Sequence, residues 1–175
     1  MNRRNLLLKA MTGLEDNNIT CKDCTGKCCT FHANSMRMTA LETEDLYQYL
    51  VSQGQWTEEL ITKLKTCIVE YRLDKEIPTK RGTSFRRTYT CPFFKHQSLG
   101  CPLPPEVKPY GCLAFNALES GVKDGENCSS DLELLESRES IKETEDNLLL
   151  KEKHGYYWDK LPIPMALLER DKLNK

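Results

Sequence analysis

The sequence predicts a small, mainly helical α+β domain, irregular in its middle and organised around a cysteine-ligated metal centre. Three observations predict it. Two stretches after residue 38 carry helical caps and helical spacing of apolar residues. Prolines 92, 102, 104, 105 and 109 exclude a regular central helix or strand through the segment that follows. The chain also has nine cysteines in 175 residues, four of them in Cys21-Lys22-Asp23-Cys24-Thr25-Gly26-Lys27-Cys28-Cys29. An irregular, proline-stiffened chain needs something other than a backbone ladder to hold it, and metal-bound thiolates do that.

The totals narrow the class. This length suits one domain, 1–175, with a sizeable core. Within it, residues 18–130 read as the cysteine-cluster metal-binding core and residues 131–175 as a C-terminal helix and tail. Lys and Arg total 25 against 26 Asp and Glu, so a net charge of −1 gives no general electrostatic reason to expect nucleic acid or an anionic membrane. No apolar run approaches the roughly 20 residues that span a bilayer. Lys9 ends the leucines at 6–8 well short of a signal-peptide core. The expectation is a cytoplasmic protein, where thiols favour metal or redox chemistry over disulfides.

Taken in order, residues 1–20 carry Leu6, Leu7, Leu8, Met11 and Leu14, a short amphipathic helix expected to pack on the outside of the domain or to be partly disordered. The cysteine loop follows. Two Cys separated by two residues turn both sulfurs toward one point; Gly26 supplies positive φ, and the nearby lysines favour thiolate. Cys28 and Cys29 are expected to diverge, because neighbouring side chains point to opposite sides of a strand and about 100° apart on a helix. Either they face two centres, or one is a ligand and the other packs in the core. Met36 and Met38 suggest a short extended segment. Thr39-Ala40-Leu41-Glu42 is a capping box that opens a helix to about Ser52, with Leu46, Tyr49 and Leu50 inward and Gly54 as its end. Thr57 starts a second helix, whose face is Leu60, Ile61, Leu64, Cys67, Ile68 and Tyr71. Cys67, in the middle of that face, reads as a small buried hydrophobe.

Residues 74–90 read as a basic surface strand or hairpin, with Lys80, Arg81, Arg86 and Arg87 among Phe85 and Tyr89. Such mixtures can bind single strands, but here the charges are expected to be a solvated face. Ser130-Asp131-Leu132-Glu133 is a second capping box, opening a charged helix to about Lys153 with Gly155 as its stop. Tyr156-Tyr157-Trp158 and Leu161-Pro162-Ile163-Pro164 then form a tail that returns aromatics to the body.

The candidate metal ligands are Cys21, Cys24, Cys28, Cys29, Cys91, Cys101, Cys112 and Cys128. Eight thiolates suit two four-ligand sites, or one cluster with the remainder packing around it. Tetrahedral sulfur selects zinc or an iron–sulfur cluster. Only one C-x2-C knuckle is present where zinc usually has two, and His32 is the one histidine near the loop. Cys91 and Cys101 each precede proline, a familiar iron–sulfur arrangement, although the bacterial ferredoxin run is not met. The spacing says metal and does not select which.

The run Cys21-x2-Cys24-x3-Cys28-Cys29, followed by Cys91-Pro92, Cys101 and Pro109-x2-Cys112, resembles the YkgJ family of cysteine-cluster proteins, the CxxCxxxCC zinc- or iron-chelating domain. The family's later motif reads roughly C-x-I-Y-x-x-R-P-x-x-C. Here Lys108 stands where the Arg would be, with one extra residue in the gap. Cys128 is similar to a further cysteine of some members, so the resemblance covers about residues 18–130. It implies metal or iron–sulfur binding without an agreed reaction. Related clusters occur in flagellin lysine methylases, but no Gly-rich turn for a methyl-donor cofactor is evident here. The leading expectation is an iron–sulfur cluster with a structural or electron-transfer role. The alternative is a zinc-stabilised binding module for a protein or nucleic-acid partner. No carboxylate pair stands out as acid and base, so no reaction is assigned.

Overall fold

Thr39 organises the first half of the core. Its side chain accepts the Glu42 N–H (3.3 Å) while Glu42 Oε2 accepts the Thr39 N–H (2.8 Å), completing the capping box that opens α2 (Ala40–Ser52). The computed structural model describes residues 3–18, 26–75, 77–78, 84–95, 101–117, 128–130 and 141–174. Before α2 lie α1 (Arg3–Asp16), a 3-10 turn at Lys27–Cys29 and the two-residue strand β1 (Arg37–Met38). After it come α3 (Glu58–Tyr71), β2 (Ile77–Pro78), β3 (Ser84–Phe85), a 3-10 turn at Pro105–Val107 and α4 (Tyr110–Leu113). The rest are β4 (Phe115–Ala117), β5 (Cys128–Ser130), α5 (Ile141–His154), β6 (Leu161–Pro162) and α6 (Ile163–Lys172). The protein is therefore mainly helical. Among the described residues the strands form three antiparallel pairs, β1 with β6, β2 with β3 and β4 with β5.

The main core joins α2, α3 and α6. Leu46 and Leu50 of α2, Leu64 and Cys67 of α3, and Ile163, Ala166 and Leu167 of α6 are buried together around Met38 and Tyr89. Expected inward positions hold at Leu46, Leu50, Leu64 and Cys67, while Tyr49 is only half-buried and Tyr47 takes the deeper place. Tyr47 is buried with its hydroxyl satisfied, donating to Asp171 Oδ1 (3.0 Å). Helix α3 starts as expected, with Thr57 Oγ1 accepting the Leu60 N–H (3.2 Å), and the α2 end is followed by Gly54 at φ 64°.

The last segment corrects an expectation. Residues 161–172 are not a tail: Pro162 and Pro164 fall at the helix entrance, where a missing N–H costs nothing, and α6 continues to Lys172. Arg170 on α6 is 4% exposed and grips Glu44 of α2 through Nε (2.5 Å) and Nη2 (3.1 Å), while Tyr156 donates to the same carboxylate (2.8 Å). Tyr156 and Trp158 do return to the body, packing on Ala40, while Tyr157 stays exposed.

The helix expected after Ser130 begins in residues that lie outside the described part. Ser130 itself is the last residue of β5, opposite Phe115. Residues 131–140 lie outside the described part, and the helix seen from Ile141 ends as expected, with Gly155 at φ 69°. In the described part of 74–90, β2 and β3 pair with Ile77 opposite Phe85, while Lys80 and Arg81 lie outside the described residues. No helix among the described residues is long and apolar enough to cross a membrane.

Candidate metal centre

Gly26 sets the shape of the cysteine turn. It adopts φ 75°, as the sequence suggests, and its carbonyl accepts the Cys29 N–H (2.7 Å), closing the 3-10 turn over Lys27–Cys29. The turn is stapled to the second cysteine segment, because the Cys91 N–H donates to the Cys29 carbonyl (2.7 Å) and the Tyr89 N–H to the Asn34 carbonyl (2.9 Å). Tyr89 is fully buried between them: its hydroxyl donates to the Met36 carbonyl (2.6 Å) and accepts the Ile163 N–H (3.1 Å).

Cys91 lies at the centre of this join. Burial pushes its thiol up to about 12, and the Phe93 and Phe94 N–H groups, directed at the sulfur, favour the thiolate. The Phe94 N–H also donates to the Cys91 carbonyl (2.9 Å), so Cys91-Pro92-Phe93-Phe94 is a tight turn wrapped on its own sulfur.

The third segment enters through α4. Pro109 precedes this one-turn helix, and the Cys112 N–H donates to the Pro109 carbonyl (2.8 Å). Three groups outside the turn hold it. Glu42 Oε1 accepts the Tyr110 N–H (2.6 Å), so the carboxylate that caps α2 also satisfies an orphan donor of α4. Arg4 donates to the Lys108 carbonyl (3.0 Å) and to Asp45 (3.0 Å), and its guanidinium lies over the Tyr110 ring. Leu7 and Met11 of α1 pack on Tyr110, Leu113 and Ala114, so the helix expected on the outside is the platform beneath Cys112.

Several of the thiols lie within electrostatic reach of one another. Burial drives the Cys112 thiol well above its ordinary value, and Cys91, Cys101 and Cys28 raise it further; Lys108 acts in the opposite sense. Cys101 likewise raises Cys91. Cys28 is raised first by its hydrogen bond to the Cys29 thiol and then by burial, again against Lys108. Cys28 and Cys29 occupy a 3-10 turn rather than a strand or α-helix, and the neighbouring Cys29 thiol raises Cys28.

Of the eight expected ligands, Cys28, Cys29, Cys91, Cys101 and Cys112 thus come within mutual influence. Cys128 stands on β5 opposite Ala117, and Cys21 and Cys24 lie outside the described residues. Among the described residues, no three Cys, His, Asp or Glu side chains are arranged as a group that would hold a metal ion. The donor chemistry assembled is nonetheless sulfur throughout, with backbone N–H groups aimed at one thiol, which fits a thiolate-ligated metal or cluster. The histidines contribute elsewhere in the described part: His32 lies tilted against Phe31 (centroids 4.1 Å apart) and His154 stacks on Tyr156 (5.6 Å). Cys67 is 6% exposed, its thiol is pushed up to about 12 by burial, and its sulfur faces the Thr90 carbonyl (3.5 Å). It is the small core residue expected.

Three residues of this site are not legible as such from sequence. Lys108, 7% exposed, is the cation that Cys28 and Cys112 both feel. Glu42 shows only its capping role, and Arg4 shows nothing at all. Comparison with known proteins adds no relative: no family model, no curated protein and no solved structure matches the chain.

Proposed function

We propose that this chain is a cysteine-cluster metal-binding protein whose thiolates hold an iron–sulfur cluster, in a structural or electron-transfer role. The observation that carries the reading is that Cys28, Cys91 and Cys101 all lie within electrostatic reach of the buried Cys112 thiol. Burying several thiols together raises each of them, which is unfavourable for the thiolates that metals take as ligands. A bound cation reverses that sign, because its charge favours every thiolate at once. Cys21 and Cys24 join the set through the spacing of the loop, which resembles the YkgJ cysteine cluster. Lys108 offsets part of the negative charge that such a ligand set carries. A reducing compartment such as the cytoplasm suits this chemistry.

When bound, the cluster supplies a one-electron couple and a cross-link between distant parts of the chain. This chain's own residues do the rest: Gly26 shapes the first ligand turn, the Phe93 and Phe94 N–H groups orient Cys91, and Glu42 with Arg4 fixes the turn that carries Cys112. Anaerobic purification followed by iron, zinc and acid-labile sulfide analysis, with a visible spectrum, tests the reading. Iron with matching sulfide and broad visible absorption is the expected result. Colourless protein with stoichiometric zinc and no iron would overturn the cluster and favour a zinc-stabilised binding module.

A further inference from the structure

One shallow depression departs from the near-neutral balance of the whole chain. Arg37, Lys75, Arg86 and Arg87 line it with Ser35 and Phe85, and no carboxylate is among its described lining residues. The sequence displays Arg86 and Arg87 beside Phe85, but it does not show that Arg37 and Lys75 join them. The fold does this in two steps. Pairing of β1 with β6 sets Arg37 opposite Pro162, and the hairpin sets Phe85 opposite Ile77, just past Lys75. Arg87 Nε then donates to the Lys75 carbonyl (2.7 Å), which fixes the plane of that guanidinium and leaves its two Nη groups out of the bond.

Phe85 is 67% exposed and belongs to none of the core clusters. A flat aromatic face in water beside three guanidiniums and an ammonium has two halves of one recognition chemistry. Guanidiniums bind phosphate oxygens in a fork, and a nucleobase stacks on a ring whatever its identity. An acidic peptide would use the charges and leave the ring without a role.

We propose that this depression binds a nucleoside phosphate, with the phosphate on Arg86, Arg87 and Lys75 and the base on Phe85. The nucleoside phosphate is either a free nucleotide or one unit of a single nucleic-acid strand. None of its described lining residues is a cysteine, so the proposal stands whichever metal the cysteines hold.

The test uses the full, metal-loaded chain and fluorescence anisotropy of a short labelled single-stranded oligothymidylate, with ATP and inorganic phosphate as competitors. Binding should weaken as salt rises. Phe85→Ala should weaken it about fivefold or more, the loss of roughly 1 kcal/mol of stacking. Arg86→Ala should weaken it and flatten the salt dependence. Both residues are exposed, so circular dichroism should be unchanged, and Lys65→Ala on the exposed face of α3 should leave binding as it was. Displacement by ATP assigns the site to free nucleotide; a strand that ATP does not displace assigns it to nucleic acid. Three results would each overturn the proposal: no binding of either ligand, inorganic phosphate competing as well as ATP with Phe85→Ala silent, or polyglutamate binding as tightly as the strand.

Discussion

Replacing Gly26 with alanine probes the cysteine turn at its most constrained point. Two costs act together. The backbone is left-handed there, φ 75°, which an L side chain resists by about 1–2 kcal/mol. The new Cβ would also fall on the ring of Phe94, overlapping Cε2, with Cδ2 and Cζ each 2.9 Å away. Phe94 is only 9% exposed and its backbone is tied to Cys91, so the ring has little room to withdraw, and overpacking of this kind costs about 1–3 kcal/mol. The sum is about 2–5 kcal/mol. For a chain of this size each kcal/mol moves the melting temperature by about 2–4 °C, so calorimetry of the purified protein should show a fall of about 4–20 °C. A double-mutant cycle separates the two costs. Phe94→Ala removes the ring, so the double variant should be less destabilised than the two single changes summed, by about 1–3 kcal/mol. A Gly26→Ala protein that melts within 2 °C of the parent refutes the reasoning about this turn. A cycle with no coupling refutes the part played by Phe94. Gly111→Ala offers a contrast: its Cβ would meet the flexible end of Met36, including Cε at 2.7 Å, and the smaller loss expected is a second check.

Other perturbations follow from the same contacts. Glu42→Ala leaves the Thr39 and Tyr110 N–H groups without their buried acceptor, and denaturant unfolding should show a loss of about 2–4 kcal/mol, with metal content falling as the Cys112 turn loosens. Cys91→Ala and Cys112→Ala should lower bound metal in elemental analysis, whereas Cys67→Ala should leave its stoichiometry unchanged and cost only the small packing loss of a buried thiol. Burial would raise the Glu44 carboxyl, but hydrogen bonds from Arg170, Gln48 and Tyr156 and the Arg170 charge override it and hold it at about 2 instead of 4.5. The folded value lies below the unfolded one, so this stabilisation is complete above about pH 4.5 and drains away as pH falls toward 2. Discounted for solvent screening, it amounts to about 1–2 kcal/mol; Glu44→Gln should flatten the acid limb of stability against pH, and an unchanged limb would refute the assignment.

How far the sequence carried depended on whether the signal was local. The Thr39–Glu42 box and the Leu64–Cys67 face were readable because caps and helical period involve residues within a few positions of one another. The α6 helix was not, because Pro162 and Pro164 look like breakers until their place in the first turn is known. Tyr47 carries no such local signal, because a tyrosine is buried only when its hydroxyl finds a partner, here Asp171, 124 positions away. The cysteines announced themselves by spacing alone. What surrounds them did not, since Lys108, Glu42 and Arg4 act on the centre through contacts that span the chain. The hairpin charges were visible too, but a depression built from Arg37 and Arg87 exists only after two separate strand pairings.

The position of α6 in the main core has a consequence for synthesis. Its apolar face covers α2 and α3, yet it is encoded about 110 residues after α2 ends. At the usual rate of 5–20 residues per second, the apolar faces of α2 and α3 wait about 5–20 s for their cover. Throughout that interval, Leu46, Leu50 and Leu64 are available to whatever else binds apolar surface. A nascent chain stalled before Ile163 should therefore recruit a chaperone that the finished protein does not.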